Sequence, residues 1–316
     1  MNLGKPNLEL FSETLLEIAR QDRDVVIVIS DSRKSGRLEH FCAELPGQVV
    51  EIGIAEQNLV GVAAGLASAG KVVFAVSPAC FLTARGLEQI KNDVAYSNLP
   101  VKLVGISAGV SYGALGSTHH ALHDLAVLQA IPNIDIVIPA DNFETRQTIL
   151  DTCQSTRPIY IRFGKKAMPH LPAIESPFES GRARILSSGA DITLIATGET
   201  VCRAVAASQI LTAEGISCGV ISLPSLRPFD EAAVLEAARY SRAILTVEEH
   251  SIHGGLGSRC AALLLQAGVY PRFKIVGIPD EDTVTGSQDE IFSHYGITAE
   301  GLACLARQIL AREEIH

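Results

Sequence analysis

Five short runs of β-branched and other apolar residues alternate with helix-like stretches in the first half of this chain. The first run reads DVVIVIS, and the five lie at 24–30, 71–77, 101–107, 134–138 and 158–163. A continuous apolar run, unlike an alternating one, is typical of a strand that is buried on both faces of a parallel sheet. The pattern therefore predicts an α/β fold with a mostly parallel sheet flanked by helices.

The helix-like stretches cover 8–20, 55–69, 83–96, 121–130 and 143–153. Residues 164–180 include KKAMPHLPAIESPFES, which has three prolines and little periodicity and is typical of a linker. The alternation then resumes, with predicted strands at 192–197, 217–223 and 243–247 and predicted helices at 199–213, 231–238, 256–267 and 298–311. A chain of 316 residues accommodates two domains, which we predict at 1–178 and 179–316.

Charge and cysteine content restrict the partners and the compartment. Lys and Arg number 26 against 35 Asp and Glu, so the net charge of −9 is unlike that of a protein that binds nucleic acid or an anionic membrane. The seven cysteines are odd in number, widely spaced and without a CxxC pair, which disfavours a disulfide framework or a cysteine zinc site. The most apolar run, 59–70, is too short to span a bilayer, and the first residues do not resemble a signal peptide. We predict a cytoplasmic protein.

The first candidate for chemistry is Glu56, in the stretch EIGIAEQN (51–58). Apolar residues flank it on both sides, which predicts a partly buried carboxyl group near a helix N-terminus. Burial disfavours the ionised form of a carboxyl group, so such a residue can hold or share a proton near neutral pH. The alternative is a glutamate that only interacts favourably with the helix dipole.

A second candidate is GVSYGALGSTHHALHD (109–124), a glycine-rich loop that follows a predicted strand. His119 and His123 are four residues apart, the spacing at which two side chains share a helix face and could bind a metal. The helix pattern begins only at about residue 121, so we expect His119 on the loop, and no third ligand is evident. Acid–base or substrate contacts, or plain surface histidines that include His120, are the other interpretations.

Two further polar stretches lie where predicted strands end. The segment DSRKSGR (31–37) follows the first strand, at the edge where parallel α/β sheets bind ligands, and could hold an anion or form a solvated turn. The segment EEHSIH (248–253) could bind a metal, although we favour an interface or a polar turn. The glycines at 254–257 could bind an anion at a helix N-terminus or form a close-packed turn, which we favour.

Together these stretches resemble the transketolase family of thiamine-diphosphate enzymes. The resemblance is carried by EIGIAEQNLVGVAAGLASAG (51–70), Phe81 with Glu88-Gln89, GALGSTHHALHD (113–124), IPNIDIVIPAD (131–141), YIRFGK (160–165) and the run from DITLIATG to EEHSIHGGLGS (191–258). These stretches span nearly the whole chain. They imply that 1–178 is a pyrimidine-binding domain and that 179–316 is a transketolase C-terminal domain.

The resemblance also implies a partner. Full-length transketolases have an N-terminal domain that binds the diphosphate through Mg²⁺ with a Gly-Asp-Gly…Asn motif, and this sequence contains no such motif. We therefore expect the second subunit of a split transketolase, active only with a separate N-terminal subunit that carries the Mg²⁺ ligands. The expected assembly is an α2β2 heterotetramer in which this chain also self-associates. The implied reaction transfers a two-carbon ketol unit from an anionic ketose to an aldose.

Cofactor contacts are implied for three residues that match the family's motifs. Glu56 matches the glutamic acid that promotes the imino tautomer of the cofactor's aminopyrimidine ring, which makes it a catalytic residue. Phe81 matches an aromatic residue that stacks on that ring. Asp31 matches an aspartate near the cofactor at the subunit interface. No metal ligand is expected in this chain.

Substrate contacts are predicted for four residues, three of them implied by the resemblance. His119 matches the catalytic histidine that contacts the hydroxyl and carbonyl oxygens of the donor. Arg162 matches a phosphate-binding arginine, a role that suits bidentate geometry. Ser35 matches a phosphate-binding serine, and Arg33 lies beside it in the basic turn.

Two positions depart from the family pattern. Leu115 stands where transketolases usually place an aspartate that binds a sugar hydroxyl, in a Gly-x-Asp-Gly-x-Thr-His pattern, and a leucine cannot accept a hydrogen bond. Ser107 stands where they usually have a phosphate-contacting histidine. We therefore expect an unusual donor, such as a branched, deoxy or sulfonated sugar derivative, in place of an ordinary pentose phosphate.

Other functions remain open from the sequence. The β subunit of a 2-oxo acid dehydrogenase has the same two domains and a glutamate with the same role, but Thr118-His119 after a glycine-rich stretch is closer to transketolase. A synthase that condenses pyruvate with a triose phosphate is a weaker alternative, because that family keeps both halves on one chain. A partner subunit without catalysis is disfavoured by the presence of Glu56 and Phe81.

Overall fold

A computed structural model describes residues 2–172 and 178–311 of the chain. Its strands, in chain order, are β1 (Leu3–Pro6), β2 (Val25–Ile29), β3 (Val49–Glu51), β4 (Val72–Pro78), β5 (Lys102–Ile106), β6 (Asp135–Val137), β7 (Ile159–Arg162), β8 (Ala167–Pro169), β9 (Arg184–Ser187), β10 (Ile192–Ala196), β11 (Cys218–Ser222), β12 (Ser225–Arg227), β13 (Ala243–Ser251) and β14 (Arg272–Ile278).

The helices are α1 (Asn7–Ala19), α2 (Glu39–Glu44), α3 (Glu56–Ser68), α4 (Ala79–Arg85), α5 (Leu87–Gln89), α6 (Asp124–Gln129), α7 (Asn142–Gln154), α8 (Val201–Ala213), α9 (Glu231–Tyr240), α10 (Leu256–Gln266), α11 (Gln288–His294) and α12 (Ala299–Ala311). Side-chain caps fix several starts. Asp141 accepts the N–H of Glu144 at 2.9 Å before α7, and Ser287 and Glu290 form a reciprocal capping box at α11.

Two main sheets confirm the predicted α/β class. The first sheet has the order β12-β6-β7-β5-β4-β2-β3, and its strands β6, β7, β5, β4, β2 and β3 are parallel. The second sheet has the order β14-β13-β10-β11-β9, with only β9 antiparallel. The apolar runs of β2, β5 and β10 are buried along their whole length, as expected for strands that are covered on both faces.

One strand crosses between the two halves of the chain. β12 comes from the second half, yet it pairs antiparallel with β6 and forms the edge of the first sheet. One continuous apolar core accordingly contains residues of both halves, such as Leu103 and Tyr160 with Ile195 and Leu226. The sheets therefore do not divide at the predicted boundary between residues 178 and 179.

The predicted linker and one predicted helix differ from the structure. Within 164–180, β8 pairs antiparallel with β1, and the part 173–177 lies outside the described residues. The helix predicted at 83–96 begins earlier, at Ala79, and changes at Gly86 into α5 and a π-helical stretch, Ile90–Tyr96. A Cβ on Gly86 would lie 2.9 Å from the Leu82 carbonyl oxygen and 3.3 Å from that of Glu56, so only glycine permits this close approach to α3.

Candidate functional site

The candidate site lies at one edge of the first sheet. The strands β7, β5, β4 and β2 are neighbours and parallel, so their carboxyl ends meet at this edge. Their following segments are 163–166, 107–121, 79–81 and 30–38. Parallel α/β proteins bind ligands at this edge. The topology therefore brings together the sequence stretches that we singled out, with Glu56 at the start of α3 after the edge strand β3.

Glu56, Arg85 and Phe81 form the first part of the site. The Glu56 side chain is only 2 % exposed, and its Oε2 accepts a hydrogen bond from Arg85 Nη1 at 3.1 Å. The Arg85 guanidinium carbon lies 4.6 Å from the centre of the Phe81 ring, which is a cation–π contact. A carboxyl group, an aromatic face and a half-exposed cation therefore adjoin one another.

A cleft of about 840 Å³ opens beside this group. It is lined by residues 54–58 at the start of α3 and by Ala84 and Arg85 of α4. Ile54, at its rim, is 72 % exposed. An exposed apolar side chain beside a buried carboxyl group is suited to a planar organic ring or to a protein surface.

His119 connects Phe81 to the glycine-rich loop. Its ring packs edge-on against Phe81, with centroids 5.2 Å apart, and against Tyr112, with centroids 5.5 Å apart. Its Nδ1 lies 3.0 Å from Thr118 Oγ1. The loop position expected for His119 is confirmed, because α6 begins only at Asp124. His119 and His123 therefore do not share a helix face, and His123 Nε2 instead lies 3.2 Å from Thr83 Oγ1.

Tyr112 links this loop to the basic turn. Lys165 Nζ lies over its ring, 4.2 Å from the centre. Burial raises the pKa of the Tyr112 hydroxyl, and the neighbouring hydroxyls of Ser107 and Ser35 oppose that rise less strongly. Ser107 is fully buried, its Oγ has no hydrogen-bond partner among the described residues, and its φ of 53° is unusual for a residue other than glycine. A strained residue with an unpartnered hydroxyl at a strand end is typical of a ligand site.

Lys165 supplies the cationic part of this end of the site. Burial lowers the pKa of its ammonium group, as does the positive charge of Arg37. No carboxylate lies within 4.0 Å of the Lys165 or Arg37 side chain in the described parts of the chain. Lys165 and Arg37, which lack acidic partners there, form with the neighbouring hydroxyls of Ser35 and Tyr112 a group suited to an anion, which we call the anion pocket.

The resemblance implies that Arg162 binds a phosphate, and in the structure its side chain is bonded inside the protein. Its side chain is 6 % exposed, and its Nε donates to Asp124 Oδ2 at 2.7 Å while its Nη2 donates to the carbonyl oxygens of Ala121 and Glu249 at 3.0 and 2.9 Å. Burial opposes the charge of Arg162, but Asp124 and Glu249 outweigh it, so its pKa is raised. These donors serve acceptors inside the protein, and phosphate binding by Arg162 stays a prediction.

Arg33 and Asp31 are placed differently from Ser35. Arg33 makes a salt bridge with Glu51 on the surface, so its guanidinium is engaged outside the anion pocket. Asp31 is exposed at the end of β2, and its carboxylate lies near Tyr112. Ser35 is half-buried and faces the Tyr112 hydroxyl. The structure thus brings Ser35 and Asp31 to the site edge, while the Arg33 guanidinium pairs with Glu51.

The EEHSIH stretch forms an interior polar network. Glu248 is fully buried and accepts the N–H groups of Leu256 and Gly257 at 2.7 and 2.8 Å, so it binds the N-terminus of α10 from within the chain. Burial raises the pKa of Glu248 to about 7 and lowers that of His250 to about 4. A Cβ on Gly255 would lie 1.9 Å from Glu248 Oε2. The favoured close-packed turn is thus present, and the anion at this helix start is Glu248.

Glu199 and Glu249 face each other at the contact between the two halves. Gln288 Nε2 donates to Glu199 Oε2 at 3.0 Å and to Glu249 Oε1 at 2.8 Å, and Glu249 Oε1 also accepts the N–H of Val110 at 2.8 Å. Burial, followed by the charge of Glu249, raises the pKa of Glu199 to about 8. The buried pair therefore retains a proton at neutral pH.

The described residues contain neither a metal-binding cluster nor a helix that could span a membrane. No group of three or more His, Cys, Asp or Glu side chains within 2–172 and 178–311 is arranged to hold a metal ion. In the same ranges, every helix is too short or too polar to cross a membrane.

Sequence reasoning missed Arg85, Tyr112 and Lys165. The stretch YIRFGK contains both Arg162 and Lys165, but strand alternation and the length of β7 were needed to see that the arginine is buried in the strand while the lysine follows its end. For Tyr112, the available signal was an aromatic residue within a glycine-rich loop. For Arg85, the signal was its position four residues after Phe81, one helical turn away.

Comparisons with family models match both halves of the chain. The model described as "Transketolase, pyrimidine binding domain" matches residues 6–170, and "Transketolase, C-terminal domain" matches residues 181–302. These two ranges cover most of the chain and follow the order expected from the sequence.

Individual proteins are also similar over nearly the full length. A subunit of the apulose-4-phosphate transketolase from Phocaeicola vulgatus is 46 % identical, with 96 % of each chain covered. A 6-deoxy-6-sulfo-D-fructose transketolase subunit from a Clostridium species is 32 % identical, with 98 % of this chain and 95 % of that chain covered. A solved structure titled "Split gene transketolase, inactive beta4 tetramer" has a TM-score of 0.87 and 34 % identity, with 98 % of this chain and 100 % of that chain covered.

Proposed function

This chain belongs to the transketolase family, and from that membership we propose that it is the C-terminal subunit of a split, thiamine-diphosphate-dependent transketolase. The observation that carries the proposal is the buried Glu56 carboxyl group at a wide cleft, with Arg85 in contact with both this carboxyl group and the Phe81 ring. A 2-oxo acid dehydrogenase β subunit is disfavoured, because the relatives from Phocaeicola vulgatus and Clostridium are named as transketolase subunits. The division into a pyrimidine-binding domain (1–178) and a C-terminal domain (179–316) is part of the proposal.

The residues at the cleft fit the aminopyrimidine half of thiamine diphosphate. Phe81 offers an aromatic face, Glu56 a buried carboxyl group, and the cleft of about 840 Å³ has room for the ring. The part of the chain that is described has no carboxylate or histidine cluster for Mg²⁺. We therefore assign the Mg²⁺-diphosphate ligands to a partner subunit. When bound, thiamine diphosphate supplies the carbon nucleophile and the electron sink for ketol transfer.

Glu56 acts on the pyrimidine ring in this proposal. Its position at the N-terminus of α3 and its burial fix the carboxyl group, which would exchange a proton with a pyrimidine nitrogen of the bound cofactor. Phe81 supports the ring by stacking. Asp31, which is exposed at the adjacent strand end, is assigned to the outer rim of the cofactor site.

His119 is assigned to the donor substrate. Phe81 and Tyr112 hold its ring from two sides, while its Nε2 makes no hydrogen bond to another described residue. A ring nitrogen held in this way can donate to or accept from the hydroxyl and carbonyl oxygens next to the bond that breaks.

Lys165 and Arg37, with Ser35, are assigned to the anionic end of the donor. Lys165 replaces Arg162 in this role, because Arg162 is buried against Asp124. The fully buried hydroxyl of Ser107 lies beside that of Tyr112 at the same end of the site. Arg33 contributes positive charge from the surface, while its guanidinium pairs with Glu51.

The donor is proposed to be a branched, deoxy or sulfonated sugar derivative. Leu115 is 55 % exposed at the loop tip, so an apolar group stands where the family pattern has a carboxylate. The names of two relatives, with apulose 4-phosphate and 6-deoxy-6-sulfofructose as sugars, support this class of donor. In a site with Leu115, the sugar hydroxyl that an aspartate would bind contributes no hydrogen bond to donor affinity.

The proposed assembly is an α2β2 heterotetramer in the cytoplasm, in which this chain pairs with an N-terminal subunit and with itself. The relative from Phocaeicola vulgatus, which is itself named as one subunit of its enzyme, and the exposed Ile54 beside the cofactor cleft support a partner surface there. Titrating thiamine diphosphate and Mg²⁺ into this chain with and without the N-terminal subunit tests the assembly. We expect tight binding only in the mixture, and tight metal-dependent binding by the single chain would contradict it.

Donor specificity tests the reaction itself. The reconstituted complex should transfer a two-carbon unit from apulose 4-phosphate or a sulfonated ketose faster than from xylulose 5-phosphate, with ribose 5-phosphate as a common acceptor. Product masses identify the transferred unit. Leu115→Asp should narrow the difference in kcat/KM between donors, because it restores an acceptor for the sugar hydroxyl. An equal rate with xylulose 5-phosphate in the unmodified complex would defeat the donor proposal.

A further inference from the structure

We propose that His120 is a positioning residue that fastens the loop carrying His119 to the C-terminal half of the chain. The role of this loop in donor binding rests on the proposed function, whereas its attachment through His120 is inferred from the geometry alone. The loop leaves β5, closes at its base through a bridge between Gly109 and Ala121, and places His119 against Phe81. What fixes its tip is a residue from the other half of the chain.

His120 is 4 % exposed and uses both ring nitrogens. Its Nε2 lies 3.0 Å from the carbonyl oxygen of Gly113, at the opposite side of the loop, and its Nδ1 lies 2.5 Å from Thr283 Oγ1. Thr283 belongs to the segment between β14 and α11, and its hydroxyl also lies 3.1 Å from Ser117 Oγ. One threonine hydroxyl therefore joins two points of the loop tip.

The direction of these hydrogen bonds follows from the carbonyl group. A carbonyl oxygen only accepts, so His120 Nε2 carries a proton and donates it to Gly113. Burial lowers the pKa of His120, so the ring is neutral at pH 7 and Nδ1 is an acceptor. Thr283 then donates to Nδ1, and Ser117 donates to Thr283. The chain of bonds runs in one direction and leaves no member unpaired.

Close backbone contacts accompany this chain of bonds. A Cβ on Gly113 would lie 2.4 Å from the carbonyl oxygen of Gly286, and one on Gly116 would lie 3.1 Å from Thr285 Cγ2. Both glycines also have positive φ, 48° and 75°. The loop tip and the 283–286 segment therefore touch along several residues, and Glu249 adds a hydrogen bond to Val110 near the loop base.

The two halves of the chain therefore position different residues of the site. The first sheet places Glu56 and Phe81, whereas the C-terminal half sets the position of His119 through its neighbour His120. Loosening this attachment should change how the donor is held and leave the cofactor site as it is. A residue needed for folding in general would change both.

Hydrogen exchange of the reconstituted complex tests the attachment without relying on activity. Thr283→Val removes the donor but keeps the shape, Thr283→Ser is its matched control, and His120→Ala removes both bonds. Because a hydrogen bond contributes modestly, we expect about fivefold faster amide exchange for peptides within 109–121 in the valine and alanine variants. The serine variant should match the unmodified complex. Unchanged exchange in this loop, or faster exchange spread over the whole chain, would overturn the proposal.

Donor and cofactor binding provide a second test, which measures function. His120→Ala and Thr283→Val should raise the donor KM by about fivefold while the thiamine diphosphate Kd stays unchanged. His120→Gln, which keeps a donor toward Gly113, should lie between His120→Ala and the unmodified complex. A parallel loss of cofactor affinity would count against a positioning role. If no donor is turned over at all, the proposed function fails, while the exchange data still decide the attachment.

Discussion

Asp124 Oδ2 lies 2.7 Å from Arg162 Nε in an ion pair that is almost completely buried beneath the glycine-rich loop. Tyr160 donates a further hydrogen bond, of 2.7 Å, to the same carboxylate oxygen. Burial raises the pKa of Asp124, but Arg162 and His250 outweigh it and hold that pKa below its ordinary value. The pair therefore keeps both charges inside the protein and supports the base of the candidate site.

The first prediction concerns the stability of this pair. Arg162→Met should lower the free energy of unfolding by about 3–5 kcal/mol, because it leaves the Asp124 carboxylate buried without a cation. Urea unfolding of the chain measures this loss. The matched control is Arg157→Met, which breaks a surface pair with Asp135 and should cost about 1 kcal/mol or less. A stable Arg162→Met variant with only a raised donor KM would support the phosphate-binding prediction.

The second prediction concerns Lys165. Lys165→Met should raise the KM for a phosphorylated or sulfonated donor by about 10- to 100-fold, because a charge-assisted hydrogen bond to the anion is lost. The unfolding free energy should stay nearly constant, since this lysine has no acidic partner among the described residues. Steady-state kinetics measures KM. Lys166→Met serves as the control, because Lys166 pairs with Asp289, and an equal rise in both variants would contradict a specific role.

The third prediction concerns Glu56. Glu56→Gln should reduce ketol transfer by the reconstituted complex by about 10²- to 10⁴-fold, because the amide cannot exchange a proton with the ring nitrogen. Initial rates with a saturating donor measure the loss. Glu88→Gln changes a glutamate of the neighbouring helix α5 that is not buried and should retain full activity. Unchanged turnover in Glu56→Gln would favour a subunit without a catalytic role.

The fourth prediction concerns the pH dependence of stability. Glu199 has a folded-state pKa of about 8, above the ordinary value of 4.5, so the folded chain binds more protons than the unfolded chain between these values. Stability should therefore fall as pH rises from about 5 to 8, with a slope from this group of up to about 1.4 kcal/mol per pH unit. Glu199→Gln should remove most of that slope.

Urea unfolding at pH 5, 6.5 and 8 would measure this effect. Relative to the unmodified chain, Glu199→Gln should be more stable at pH 8 than at pH 5. Glu300→Gln, which changes an exposed acid at the start of α12, should keep the original slope. A parallel pH profile for Glu199→Gln and the unmodified chain would show that the buried pair does not retain a proton.

The sequence predicted most regular elements because their signals are local. The run DVVIVIS contains β2, and the helix predicted at 55–69 closely matches α3. The sequence did not predict β12, which is a three-residue strand between two prolines. Its partner β6 lies about ninety residues earlier in the chain. Pairings of this kind depend on long-range packing, which periodicity does not report.

The candidate site was predictable in position but only partly in detail. Glu56, Phe81 and His119 come together because topology aligns the ends of adjacent strands. The sequence did not show that the Arg162 guanidinium is bonded inside the protein, because a motif match does not tell on which side of a strand end a guanidinium lies. The acidic partner that decides the matter, Asp124, lies 38 residues away in sequence.

The pairing of β12 with β6 also restricts how such a chain could be divided during evolution. If the chain were cut between residues 172 and 178, the first half would expose the backbone of β6 as a bare sheet edge. Exposed edges promote pairing between molecules and aggregation. A gene fission at this point would therefore yield a first fragment that needs the second one to cover this edge, and natural selection would tend to remove it.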